Sequence, residues 1–415
     1  MKLIICLFSI VFIGSVCPSQ LSMNNNEFAV EMLQSISHEH ENVFFSPISI
    51  TTALKMLLPG ARNTTKEELK TVLGIAENDT LKNTHTEMKQ LIENINQDDE
   101  NGTIFKMVNR ILVQSTTQLK KNYINTVKTN YKAMINRLNI TSDNYRNITQ
   151  EINDWVYNQT NGKIQKIFNE PLSPDTEMVL LNVVYFLGKW KFPFNPNFTS
   201  REDFHNLGSN ISTPVETMVK QDRYKYVKLR ELKSRMVQIP YVDEFNMYIL
   251  LPDRTNGLDD VVQLLSGENL QEAINQFKSN QSSTNATQGL NDNEVLLYLP
   301  KFHLEEEYDL KDILNDMEVK TLFTDEADLS GINGKRNLKV SQAIHKSFIQ
   351  VDEKGSEAAG LSAIRITPLS YIEPDVFRIN KPFIFFIHNQ QHDVITFVGQ
   401  VRNLVGDELL SLAFI

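Results

Sequence analysis

Between Met178 and Phe186 the chain reads MVLLNVVYF, apolar or β-branched at nearly every position. Such a run predicts a central strand covered on both faces, because a strand with one wet face alternates instead. Asn182 interrupts it. A buried amide needs hydrogen-bonding partners, so Asn182 is expected either as a satisfied core residue or within a polar network. Upstream, from Asn26 to Ile95, the spacing is mainly helical. Phe28, Met32 and Leu33 share one apolar face, Thr52 to Leu58 form another, and Pro59-Gly60 stops a helix. Ile104 to Val113 alternates as a strand, Lys120 to Met134 returns to helical spacing, and Ile148 to Phe168 carries an amphipathic helix with Trp155, ending near Asn161-Gly162. Strands follow from Arg223 to Leu251, then a strand at Val295–Leu304, a helix at Tyr308–Met317 and a strand at Leu338–Val351. Phe377 to Val401 is nearly all strand, with a hairpin turn at Asn389-Gln390-Gln391-His392. Helices gather early and strands late, which predicts an α+β fold, and no linker divides the chain. Ser279 to Asn293 (SNQSSTNATQGLNDN) reads as a low-complexity surface insertion.

One stretch fits neither helix nor ordinary strand. From Ser356 the even positions 356, 358, 360, 362, 364 and 366 are Ser, Ala, Gly, Ser, Ile and Ile, whereas the odd positions carry Glu357 and Arg365. Side chains alternate faces along a strand, so one face can be buried without burying a charge. Pro368 has no amide hydrogen for a ladder, so pairing fades there. Periodicity alone leaves a half-buried strand and a small-residue loop both open.

The formal net charge of −10 over 415 residues argues against nucleic acid or a polyanion as the main partner. Lys2, the apolar run Leu3–Ile13 and the small residues to Ser19 describe a secretory leader over residues 1–19, too short to span a bilayer. Cys6 and Cys17 are the only cysteines, so residues 20–415 are expected to fold as one domain without disulfides. Asn63, Asn78, Asn101, Asn139, Asn147, Asn158, Asn197, Asn210, Asn280 and Asn285 each begin an Asn-x-Ser/Thr triplet and are candidate glycosylation sites. No nucleotide, zinc-protease, calcium or nucleophile-elbow motif is present. His38-Glu39-His40 reads as a polar turn, Glu305-Glu306-Glu307 as a solvated acidic face, and Lys120, Lys121, Lys128 and Lys132 as a solvated basic one. No catalytic residue, metal site or cofactor is expected.

Taken in order, NVFFSPISI (Asn42–Ile50), VLLNVVYFLGKWKFPF (Val179–Phe194), LPKF (Leu299–Phe302), ADLSGI (Ala327–Ile332), AIHKSFIQVDEKGSEAAG (Ala343–Gly360), NKPFIFFI (Asn380–Ile387) and FVGQV (Phe397–Val401) resemble the serpin family. The resemblance covers essentially the whole mature chain. It implies three β-sheets, about nine helices and an exposed reactive-centre loop, here 353–376. The resemblance further implies that a target protease cleaves this loop as a substrate, after which the loop inserts into the main sheet and traps the acyl-enzyme. At about 3.3 Å per residue, Ser356 to Thr367 spans on the order of 40 Å as a strand. Carried over by position, Gly355, Ser356, Glu357, Ala358, Ala359 and Gly360 form the hinge. Ser46, Ser49, Asn182 and His345 form a shutter network, and Trp190, Lys301 and Glu353 lie where the loop first enters.

By the resemblance, the family's usual loop length puts the scissile bond at Leu369–Ser370, with an end resembling antichymotrypsin-type members. That implies a monomeric inhibitor of chymotrypsin-like serine proteases, including chymase and cathepsin G types, with elastase-like enzymes acceptable because of Pro368. Tyr371 is a rival position of the same specificity. Arg365 is the trypsin-like alternative and leaves the loop about four residues short. The competing function is a non-inhibitory carrier, storage or precursor serpin that is merely cleaved. The chain departs from the family at Leu361, Pro59 and Gln400, and in an apolar extension over residues 404–415.

Overall fold

A computed structural model describes residues 19–38, 42–76, 79–98, 102–278, 294–355 and 374–405. The leader to residue 18, the insertion at 279–293, the loop residues 356–373 and the tail beyond Val405 lie outside the described residues. The chain opens with α1 (Gln20–Ile36), β1 (Asn42–Phe45), α2 (Pro47–Leu57), α3 (Asn63–Val72) and α4 (Leu81–Ile95). Next come β2 (Gln97–Asp98), β3 (Ile104–Gln114), α5 (Lys121–Tyr131), β4 (Met134–Leu138), α6 (Tyr145–Gln159) and β5 (Met178–Leu187). The middle holds β6 (Ser200–Phe204), β7 (Thr213–Arg223), β8 (Tyr226–Leu229), β9 (Ser234–Pro240), β10 (Phe245–Pro252), α7 (Leu258–Leu264) and α8 (Gly267–Lys278). The last elements are β11 (Glu294–Pro300), β12 (Phe302–Asp309), α9 (Leu310–Asp316), α10 (Ser330–Asn333), β13 (Gln342–Val351), β14 (Asp375–Arg378), β15 (Phe383–Asn389) and β16 (Val394–Val401).

The strands form three sheets, in the orders β1-β16-β15-β10-β9-β8, β14-β11-β7-β6 and β12-β13-β5-β3-β2, with β4 also on β3. With ten α-helices among the described residues, this is the expected α+β architecture. β5 lies at the centre of the third, main sheet, and its two faces explain the unbroken apolar run. Met178, Leu180, Val184 and Phe186 pack into the larger core, whereas Val179, Leu181, Val183 and Tyr185 join a smaller core with Ile152 and Val156 of α6. Asn182 falls on the larger-core side by the same alternation.

Several expectations need correcting. The strand read at Val295–Leu304 is two strands in different sheets, because the chain passes from one sheet to the other at Pro300-Lys301. The helix read to Met134 stops at Tyr131, where Lys132 turns left-handed at φ 49° and feeds β4. β1 lies inside the stretch read as helical; at four residues it is too short to set a period. β6 and most of β7 lie in the gap between the predicted strands and were not anticipated. Pro59-Gly60 ends α2 so that α10 can dock: Gly331 N–H donates to the Gly60 carbonyl at 2.8 Å, and a Cβ on Gly60 would meet Ile332 at 2.2 Å.

Phe186 packs its buried ring against Tyr241, Phe245 and Phe397 at centroid distances of 5.0, 5.4 and 5.8 Å. Phe186→Ala is predicted to cost about 3–5 kcal/mol, read as a lower urea midpoint with an unchanged slope.

Candidate functional site

β13 and β5 run parallel and meet in a seam of seven registered pairs, from Gln342↔Val179 to Phe348↔Tyr185. At the middle of that seam stand His345 and Asn182, and the next strand over puts Asn109 opposite Asn182. The register therefore lines up Asn109, Asn182, His345 and Tyr308 on four adjacent strands. The two Asn182 Nδ2 hydrogens are shared between Asn109 Oδ1 at 2.5 Å and Ser49, whose Oγ lies at 2.5 Å and carbonyl at 3.0 Å. Its Oδ1 bonds His345 Nδ1, and His345 Nε2 accepts the Ser46 backbone N–H at 3.1 Å. That pair of bonds requires the neutral ring with its proton on Nδ1.

Local sequence explains why α2 delivers these groups. Ser46 is the N-cap of α2, with Pro47 at the first helical position, and its Oγ accepts from Ser49 N–H at 3.3 Å. One chain turn thus presents a helix cap, a serine hydroxyl and a free backbone N–H to the sheet. Ser347 adds a bond to the Phe44 carbonyl at 2.7 Å, and Phe44 N–H donates to Tyr308 Oη at 3.3 Å. The Tyr308 ring stacks 6.4 Å from His345.

Above Phe348 the registered pairing of β13 with β5 stops, and a second group of residues fills the opening. β13 ends at Val351, after which Asp352 to Gly355 make a tight turn closed by Asp352 N–H to the Gly355 carbonyl at 2.9 Å. Trp190 lies beneath it, 1% exposed and stacked on Tyr241 at 4.3 Å. Its Nε1–H donates to the Asp352 carbonyl at 2.8 Å and its backbone N–H to Lys354 O at 3.1 Å. Gly355 has φ +116°, and a Cβ there would meet Gly188 O at 2.1 Å, so both conformation and space demand glycine. Lys301 Nζ lies 2.8 Å from Glu216 and 3.4 Å from Glu353, and Thr199 Oγ1 donates to Glu353 at 2.7 Å. Burial pushes the Glu353 carboxyl up, but the Thr199 hydroxyl and Lys301 together hold it below its ordinary value.

The structure thus brings Ser46, Ser49, Asn182 and His345 into one cluster, and Trp190, Lys301, Glu353 and Gly355 into another at the upper end of the same seam. The remaining hinge positions Ser356 to Gly360 and the Leu369–Ser370 bond lie outside the described residues. Asn109, Tyr308, Thr199, Glu216 and Tyr241 were missed. Asn109 sat in plain view as the single amide in an alternating strand, but only pairing reveals that it faces Asn182.

The acidic run is also not simply a solvated face. Glu305 and Glu307 hold the buried Lys346 ammonium at 3.2 Å each, while Glu306 lies on the opposite, partly buried face with Ser347. His38 faces Asp259 at 3.7 Å. Gln400 is buried and donates to the Ser37 carbonyl at 3.2 Å. Lys132 lies 3.6 Å from Glu93, and Lys120 donates to the Ser330 carbonyl at 2.9 Å.

The family model described as Serpin (serine protease inhibitor) matches residues 23–404. The chain is 35% identical to Iripin-2 of Ixodes ricinus over 392 residues, covering 93% of this chain and 94% of that protein. It is 33% identical to a leukocyte elastase inhibitor of Xenopus tropicalis, covering 92% and 98%. Its fold superposes on human thyroxine-binding globulin complexed with thyroxine with a TM-score of 0.81 at 27% identity, covering 93% and 99%.

Burial drives the His345 pKa from 6.5 down to about 3. The unfolded chain protonates this ring below pH ~6.5, so its contribution to stability is full above that pH and is lost as pH falls toward 3. The slope is at most about 1.4 kcal/mol per pH unit. Glu306 acts oppositely: burial, then Glu305, raise its pKa to about 7, so its contribution holds at low pH and fades as pH rises through 7. His345→Gln should therefore flatten the acid-side loss between pH 6.5 and 4, measured as the difference in urea midpoint from the parent chain at each pH.

Proposed function

The chain belongs to the serpin family, and on that premise we propose that it is a secreted, suicide-type inhibitor of chymotrypsin-like serine proteases. Family membership places it among protease inhibitors, not enzymes, and serpins act on serine proteases. The target serine's Oγ attacks the Leu369 carbonyl carbon, an ester forms, the Leu369–Ser370 C–N bond breaks, and the Ser370 amine leaves with a proton. Ser356 to Leu369 is then free at its new end and enters the main sheet, carrying the ester-linked enzyme away before water completes hydrolysis.

The observation that carries this reading is the β5–β13 seam, held by seven pairs and opening at the end where Gly355 leaves. An entering strand replaces that one line of pairing with two, a net gain of ladder bonds that drives the change. Asn182 and His345 act as the latch at mid-seam, and Gly355 as the pivot. The small face at 356, 358, 360, 362, 364 and 366 meets the core without a charge to desolvate. Leucine at 369 suits an apolar primary pocket, and the likeness to a leukocyte elastase inhibitor supports elastase-like enzymes as further targets. The leader and the sequons support secretion and glycosylation, in a chain that acts as a monomer without cofactor.

A carrier role is the second reading, favoured by the likeness to a globulin that binds thyroxine. It calls for proline, bulk or charge on the inward hinge face, where this chain has none. Incubation with chymotrypsin is expected to produce a complex that survives SDS and heating; clean cleavage without a complex would leave only the carrier reading. Sequencing the released C-terminal fragment should give Ser370 first, whereas Ile372 would move the bait to Tyr371. Ala358→Pro is predicted to abolish the complex while leaving cleavage intact, because a proline on the inward face breaks the new ladder.

A further inference from the structure

Ile211, 79% exposed, and Phe198, 64% exposed, are the two most exposed large apolar side chains among the described residues. Both occupy the middle place of a sequon, in Asn210-Ile211-Ser212 and Asn197-Phe198-Thr199. Apolar side chains standing singly in water are ordinary, but further exposed apolar residues lie on the segments joined to those that carry these two. Phe192, 51% exposed, lies 5.3 Å from the Lys220 ammonium on β7, and the 3₁₀ turn Pro196–Phe198 packs on that same strand. Leu207 and Val405, 56% and 50% exposed, belong to the segments around Ile211. Those segments are joined by Leu207 N–H to Arg402 O at 2.7 Å and by Asn206 Nδ2 to Leu404 O at 3.0 Å.

Among the described sequons, Asn197 and Asn210 are the two whose middle residue is a large exposed apolar side chain. Asn197 and Asn210 are exposed, each outside any α-helix or strand. Elsewhere the fold has taken up the sequon groups: Asn63 Nδ2 donates to Asp328 at 2.7 Å, and Asn139 Oδ1 accepts from Ser115 at 3.4 Å. Asn147 and Asn158 lie within α6, where Thr149 and Thr160 are buried and donate to the Tyr145 and Val156 carbonyls. We infer that Asn197 and Asn210 carry N-linked oligosaccharides, and that these sugars cover the apolar patches around Phe198 and Ile211. The inference rests on the secretory reading above. Sugar C–H faces pack against aromatic and aliphatic side chains while their hydroxyls face water, which turns an association-prone patch into a wetted one. At Asn197 the sugar stands beside the mouth of the seam, two residues from the hydroxyl that holds Glu353.

The test is glycopeptide mapping by mass spectrometry of the full chain expressed in eukaryotic cells, taken from cells and medium alike, beside an Asn197→Gln/Asn210→Gln variant. These changes spare Thr199, whose loss would disturb the Glu353 contact as well. Asn197 and Asn210 are expected occupied in most molecules. The double variant is expected to keep its urea midpoint but to bind an apolar-surface dye roughly twofold more strongly and to self-associate. Either asparagine bare while other sequons carry sugar overturns this inference alone; every sequon bare overturns it together with the secretory reading. Occupied sites with no change in dye binding in the double variant overturn the covering role.

Discussion

One buried amide holds the main sheet shut. Asn182 stands in the middle of a strand that is otherwise apolar on both faces, where an unpaired amide costs about 1–3 kcal/mol. It is satisfied only if β3 supplies Asn109, α2 supplies Ser49 and β13 supplies His345 together. The amide therefore ties three strands and a helix into one arrangement. Parting β13 from β5 means dissolving that arrangement as well as the backbone pairs of the seam. The neutral, proton-on-Nδ1 state of His345 belongs to the same constraint, since a second ring proton would face the Ser46 N–H.

The upper end of the seam is built differently. Its closest approaches are backbone to backbone: Gly355 against Gly188, Trp190 against Lys354, Phe194 against Glu353. The Lys301–Glu353 pair is partly exposed, and pairs of that kind are worth little on their own. Its value lies in position, because Glu353 belongs to the tight turn that ends at Gly355. A strong polar node at mid-seam below a loosely paired mouth is the order in which a strand entering from the top would meet resistance.

The same sequence tripeptide serves two ends of this design. Thr199 presents its hydroxyl inward to Glu353 while Asn197 and Phe198 face solvent. A surface feature and a core-facing clamp are thus coupled through two residues of chain.

Most of the architecture was legible in the chain because it is written locally. A period of two or of helical spacing reports which face is buried, whatever the partner, and MVLLNVVYF announced a strand covered on both sides. The small, uncharged face from Ser356 to Ile366 was likewise readable as a pattern, as was the need of Asn182 for partners. What the sequence alone could not decide was register. Asn109, Tyr308 and Glu216 became site residues only when strands far apart in sequence were paired, and a shift of one residue would have turned each to the other face. Glu305 to Glu307 looked solvated because three charges in a row usually are; pairing with β13 set Lys346 between two of them and turned the third toward the core. Local pattern specified the elements, and long-range hydrogen-bond register specified which side chains meet.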